Sequence, residues 1–331
     1  MQRPIDRRHL LTASLAAAAL TGPGLSAPGP RRATERQDGD AATGDAATGD
    51  AGVGAAAPGK ARFRKALKFG MVQEPSTPTI GEKFALLRAI GFDGVELDSP
   101  SNLDEDEVRE AAEATGLVVE GLVDSRHWQD NLGSADAETR RRGRTALDFA
   151  LRQAARLGAD SVLLVPAVVN AGTSYATAWN NSLAELREIA PLAEELGVRI
   201  ALENVWNNFL LSPIEARHYL EEIGSPAVGW HFDVGNVLRY GWPEHWVEVL
   251  GARHLFKLDI KDYSRKKMND EGLWKGFDVK IGDGDSGWPR VLSALDAIGY
   301  DGWAAAEVGG GGAERLVDIA ERMDRVLGIG G

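Results

Sequence analysis

From Ala66 onward the spacing of apolar residues changes in a regular way. Short, mostly apolar runs read as strands. They alternate with longer stretches in which apolar residues recur three or four positions apart and read as helices. The first pair is a strand at 67–72 and a helix at 80–90, with Phe84, Leu87 and Ile90 on one helical face. Further strands are expected at 94–97, 118–123, 161–166, 198–203, 228–233, 254–260 and 303–308. The intervening and final helices are expected at 103–115, 136–157, 179–196, 213–223, 243–250, 289–298 and 313–327, with a loop at 125–135. Gly91, Gly116, Gly158, Gly197, Gly224, Gly251 and Gly299 follow these helices, where a left-handed C-cap favours glycine. Strands alternating with helices predict a parallel sheet. Eight such units in this length predict a closed α/β barrel, the (β/α)8 TIM barrel. An open doubly wound sheet is the alternative, weakened by the absence of a glycine-rich phosphate loop after the first strand.

The first 60 residues follow a different pattern. Arg7-Arg8 precedes a short apolar run, Leu10 to Leu20, and Leu25-Ser26-Ala27 offers a cleavage site. Residues 1–27 therefore read as a Tat-type signal peptide, with export to the periplasm or the medium; an unprocessed basic tail is the alternative. The run is too short for a stable membrane span. Residues 28–60 repeat Gly-Asp-Ala-Ala-Thr and lack large apolar side chains, which reads as a disordered low-complexity linker. Residues 61–331 remain for the barrel.

The formal net charge is −12, and the acidic excess falls after residue 60. Such a body disfavours nucleic acid as a partner. With no cysteine, disulfides and thiolate metal sites are excluded.

Four expected strands carry an acidic residue at or near their C-terminal end: Glu203, Asp233, Asp259 and Glu307. By strand parity Lys257, Asp259 and Lys261 share one face, as do His231 and Asp233, and Ala305 and Glu307. Four carboxylates at one barrel mouth repel one another unless a cation lies between them. The inference is a divalent metal bound by Glu203, Asp233, Asp259 and Glu307. Oxygen-rich ligation suits Mg²⁺ or Mn²⁺, with Co²⁺ or Zn²⁺ as further options. The competing reading pairs each carboxylate with a basic residue, for example Asp259 with Lys257 or Lys261.

The runs HFDVGNVLRYGWPEHW, LFKLDIKDYSR and GWPRVLSALDAIGYDGWAAAEV, with IGFDGVEL and ALENVWNN, resemble the sugar phosphate isomerase/epimerase group of xylose isomerase-like barrels. The resemblance covers roughly residues 66–328. It implies one metal on Glu203, Asp233, Asp259 and Glu307, where many relatives have histidine at the position of Asp259. It also implies that Glu203 and Glu307 act as the acid and base of an enediolate mechanism. His127-Trp128 resembles a substrate-contacting element of that group. His231 is a candidate for bonding substrate or orienting Asp233, or else a core histidine. Lys261 is a candidate for an anionic substituent, or else a surface partner of Asp262. Trp206, Trp242 and Trp288 follow strands and either line the cleft or pack.

The leading expectation is a metal-dependent sugar isomerase or epimerase acting on a small-molecule sugar, free or oxidised if the protein is exported. A dehydratase or lyase acting on a keto-sugar or inosose is the alternative chemistry, and a catalytically weak sugar-binding barrel the non-enzymatic one. The endonuclease branch of the fold uses a histidine-rich multi-zinc site. It fits poorly with 6 histidines, one of them His9 in the leader.

Overall fold

The computed structural model describes residues 62–329, so the expected leader and linker lie outside the described residues. Eight parallel strands form one sheet: β1 (Arg62–Leu67), β2 (Gly94–Ser99), β3 (Val118–Asp124), β4 (Ser161–Leu164), β5 (Arg199–Glu203), β6 (Val228–Asp233), β7 (Leu255–Ile260) and β8 (Asp301–Ala306). Their order is β1-β8-β7-β6-β5-β4-β3-β2. The sheet curls until its two edges meet. A parallel bridge joins Lys68 to Glu96, and Asp93 bonds the Lys65 backbone through both its side chain and its own N–H.

Helices α1 (Ile80–Ile90), α2 (Glu105–Thr115), α3 (Ala137–Leu157), α4 (Tyr175–Leu196), α5 (Pro213–Ile223), α6 (Pro243–His254), α7 (Arg265–Glu271), α8 (Trp288–Ile298) and α9 (Ala313–Leu327) alternate with the strands. Local chemistry sets their ends. Thr79 and Glu82 form a capping box on α1; Asp104, Asp136, Ser174 and Ser212 cap α2 to α5 through their side chains. Prolines open α5 and α6, where a missing N–H costs nothing. All of these helices except α7 bury an apolar face, as α1 does with Phe84 and Leu87, both fully buried and each stabilising by about 1.5–3 kcal/mol. No described helix is long and apolar enough to cross a membrane.

The first strand differs from the expected 67–72: it runs Arg62–Leu67, and Phe69–Met71 is a single 3₁₀ turn. The reason is visible in its side chains. Lys65 reaches outward to Asp324 on α9, and Arg64 lies over the Trp303 ring, so a strand rich in bases lacks the apolar signature. The helix expected from 179 starts a turn earlier at Tyr175, because Ser174 caps it. That expected at 243–250 continues to His254 through a non-helical Gly251. Helix α7 and the 3₁₀ turn Leu273–Phe277 occupy the long segment after β7, for which no element was expected.

The parity expected for β7 holds. Lys257 and Asp259 are fully buried, and Lys257 Nζ pairs with Glu120, bonds the Glu120 carbonyl at 2.9 Å and lies 3.6 Å from Asp160. Gly121 makes room for it, since a Cβ there would collide with the ammonium. On β8 the small Ala305 packs with Ala66 and Trp303.

Candidate active site

Register aligns the strand ends. Glu203 pairs with His231 across β5 and β6, and Asp233 with Asp259 across β6 and β7. Glu307 follows β8 directly, and its N–H lies 3.4 Å from the Ile260 carbonyl. As a result Glu203, Asp233, Asp259 and Glu307 each present an oxygen within 4.8 Å of the others. Three of these residues are buried, while the Glu307 side chain is 36% exposed at the mouth.

Their supports are specific. Asn204 donates to the Asp233 carbonyl at 2.8 Å and accepts from the Asp233 N–H at 3.0 Å and from Trp230 Nε1 at 3.1 Å. Asn236 donates its N–H to Asp233 Oδ1 at 2.8 Å, and its side chain lies 3.4 Å from Glu203 Oε1. Two ammonium groups enter the cluster. Lys261 Nζ is 2.7 Å from Asp233 and 2.6 Å from Glu307; Lys68 Nζ pairs with Glu96 and lies 3.1 Å from Asp259. Asp259 is therefore paired with Lys68, rather than with Lys257 or Lys261. Neither Asp259 oxygen makes a well-aligned hydrogen bond, nor does Asp233 Oδ2. Buried oxygens left in that state fit a hard cation that accepts oxygen ligands.

Electrostatics follow from this crowding. Burial pushes Glu203 well above the usual carboxylate range, and the charges of Glu307, Asp259 and Asp233 push it further. Burial raises Asp233 to about 7 and Asp259 to about 6, against the pull of Lys261 and Lys68 respectively. Burial also opposes ionisation of Glu307, but Lys261 and Lys68 overcome it and hold the group near about 2. Burial works against the charge on Lys261 as well, yet Asp233 and Glu307 keep its pKa above the ordinary lysine value.

His231 is fully buried below the carboxylates. Nε2 lies 3.1 Å from Asp259 and Nδ1 3.9 Å from Glu96. Burial and the Lys68 charge push its pKa down to about 3, so the ring is neutral. His127 sits in the turn after β3 and accepts the Val165 N–H at 3.2 Å through Nδ1; burial lowers it to about 3. Beside it Trp128 is 43% exposed, its ring edge-on to the imidazole. Asp262 does not pair with Lys261. It accepts from Gly282, Ser286 and Trp288 Nε1, and so pins the segment after β7. Trp288 is thus a packing residue. Trp206, anchored by a 2.8 Å bond to the Asn236 carbonyl, packs against Trp274 and Phe277, and Trp242 is exposed under Arg265.

Residues 84–326 match the family described as xylose isomerase-like TIM barrel. The chain belongs to that family. Among its relatives, the 2-epi-5-epi-valiolone 7-phosphate 2-epimerase of Actinoplanes sp. is 29% identical over 69% of this chain and 82% of its own length. An uncharacterized protein of Methanocaldococcus jannaschii is 31% identical over 39% of this chain, and the inosose dehydratase of Geobacillus thermodenitrificans 26% over 39%. The chain spans less than half of those two relatives, 43% and 46% respectively. Solved structures share the fold. A D-tagatose 3-epimerase-like protein superposes with TM-score 0.66 at 21% identity, over 81% of this chain and 98% of that one. The IOLI protein, described with a binding zinc atom, gives 0.66 at 19% identity over 80% of this chain and 98% of its own.

Within this xylose isomerase-like barrel two residues of the mouth, Lys68 and Glu96, escaped the reading of the sequence. Both carry the same signal as the other four, a charged residue at the end of, or inside, a short apolar run. Placing the first strand at 67–72 put Lys68 at its start instead of just past its end.

Proposed function

We propose that the protein is a divalent-metal-dependent sugar isomerase or epimerase that moves a proton on the carbon beside a carbonyl. The observation that carries this reading is the convergence of Glu203, Asp233, Asp259 and Glu307, oxygens within 4.8 Å of one another, at the C-terminal ends of consecutive strands. The likeness to an epimerase over most of the chain supports it. These four residues would hold the ion. When bound, the metal would polarise the sugar's carbonyl and adjacent hydroxyl and stabilise the charge that develops on them.

The remaining work belongs to side chains. Glu203 and Glu307 stand on different strands, so they can address the reacting carbon from different directions. One carboxylate takes the C–H proton, the bonding electrons move into an enediolate, and the other, protonated, returns a proton to carbon. Opposite-face return inverts the centre and conserves every atom. Lys261 holds Asp233 and Glu307 in place and keeps a positive charge beside the reacting oxygens. Trp128, exposed over His127, offers a face for the sugar's C–H groups. The twin-arginine leader belongs to the same proposal: an exported enzyme meets free or oxidised sugars.

The likeness to an inosose dehydratase favours a second outcome of the same chemistry, in which the enediolate expels a β-hydroxyl that takes a proton from the protonated carboxyl group and leaves as water. One experiment addresses both. Purified protein is assayed for metal by elemental analysis and incubated with keto-sugars and inososes in D₂O. The expected result is about one divalent ion per chain, deuterium on the carbon beside the carbonyl, and a product that keeps all its oxygens. A product lighter by one water selects the dehydratase. Absence of metal together with absence of exchange overturns both.

A further inference from the structure

The Lys68 ammonium stands in a second group of ligands. Glu96, His231 and Asp259 each offer a ligand atom within 4.8 Å of the others, and all three side chains are fully buried. Asp259 belongs to both groups. Neither nitrogen of the His231 ring makes a well-aligned hydrogen bond, although Nε2 lies 3.1 Å from Asp259, and neither do Glu96 Oε1 or the Asp259 oxygens. An imidazole with no well-aligned hydrogen bond, set between two buried carboxylates, is an unusual thing to bury. It is a natural thing to find beside a cation.

The cation that is present is covalent. Lys68 extends from just past the end of β1 and pairs with Glu96 and with Asp259, at 3.1 Å from the latter. Its side chain is 14% exposed, and its head rests on a flexible four-carbon stem. Without it Glu96 and Asp259 would be adjacent buried carboxylates with no directly paired ammonium, because Lys257 is engaged with Glu120 and Lys261 with Asp233 and Glu307, and these act on Glu96 and Asp259 only through space.

We propose that Glu96, His231 and Asp259 form a second divalent-cation site, joined to the four-carboxylate site through Asp259, and that Lys68 occupies it as a tethered cation. The lysine keeps the centre mononuclear. It supplies one fixed positive charge where an exchangeable ion would otherwise sit, and leaves Asp259 free to serve the first site. This rests on the reading of the four-carboxylate group as a metal site, and the test separates the two.

Full-length wild type, Lys68→Ala, Lys68→Ser and Lys68→Ala/Glu96→Gln are equilibrated with excess Mn²⁺, freed of unbound metal, and measured for Mn²⁺ per chain and by electron paramagnetic resonance. Wild type should hold about one ion with an uncoupled spectrum, and a folded Lys68→Ala or Lys68→Ser about two, spin-coupled through the shared carboxylate; the double variant should return to about one. Folding of each variant is checked by circular dichroism, and the serine variant serves if the alanine variant unfolds. One ion in both folded single variants overturns the second site. Two ions in wild type overturn the tethered-cation role. No ion in wild type but one in Lys68→Ala, lost on adding Glu96→Gln, supports the second site and removes the four-carboxylate reading.

Discussion

Asn204 holds Asp233 by both sides of its backbone, donating to its carbonyl at 2.8 Å and accepting its N–H at 3.0 Å. The same amide oxygen also takes Trp230 Nε1 at 3.1 Å. One side chain on the β5 end therefore fixes where the β6 end stops and where the Asp233 carboxylate points. Asn204→Leu keeps the branched skeleton, somewhat enlarged, and removes all three bonds. Stability to urea should fall by about 2–4 kcal/mol, since buried N–H groups are left without partners. Affinity for the divalent ion should fall about 10–100-fold, as when the residues that orient a ligand are lost. Unchanged metal affinity in the folded variant would show that Asp233 needs no such support.

Glu203→Gln and Glu307→Gln address the proton transfer. Each substitution keeps shape and removes a group able to carry the proton. Deuterium exchange into the substrate should drop about 10²–10⁴-fold in each, while thermal unfolding in the presence of Mn²⁺ still shows one cooperative transition. Full exchange activity in either variant would remove that glutamate from the acid–base pair.

The four strand-end carboxylates were legible because a period-two pattern and a strand terminus are local properties. Asp259 could be placed on the inner face from Phe256, Leu258 and Ile260 alone, and the structure puts it there, fully buried. Its partner could not be read in this way. Lys68 lies far from Asp259 in sequence, and only the pairing of β1 with β8 and of β8 with β7 brings it to 3.1 Å. His231 shows the same limit. Its parity with Asp233 was visible, yet its contacts are with Glu96 and Asp259, which lie on other strands. The segment after β7 was opaque for another reason: its shape depends on Asp262 gathering Gly282, Ser286 and Trp288 from 20 residues or more downstream.

Lower in the barrel, Lys257 and Glu120 form an ion pair closed off from water. Lys257→Met should cost about 3–5 kcal/mol, because it strands a carboxyl group that already resists ionisation. Burial pushes Glu120 up to about 8 even with the lysine beside it. Adding Glu120→Gln to Lys257→Met should recover part of that loss, since no buried charge then remains. Urea unfolding of the two single variants and the double variant provides the cycle. A double variant as unstable as the sum of the singles would mean that the two residues do not act as a pair.

Asp124, at the end of β3, offers a pH test away from the carboxylate centre. Its Oδ1 accepts the Arg126 N–H at 2.9 Å, while Oδ2 is buried without a hydrogen bond. Burial raises its pKa to about 7, against the smaller pull of the Arg126 backbone and guanidinium and with a small push from Asp130. The sign follows directly. The unfolded chain releases this proton near about pH 4, whereas the folded state keeps it until about pH 7. Between those values the folded state binds more protons, so stability declines as pH rises. Asp124→Asn retains the acceptor for Arg126 and has no proton to release. Urea midpoints of wild type and variant should therefore agree most closely near the acid end of this window and diverge toward its upper end, with the variant the more stable above it. The difference between the two proteins isolates Asp124 from the other titrating carboxylates. A difference that stays constant across the window would mean that Asp124 is ionised in the folded protein throughout.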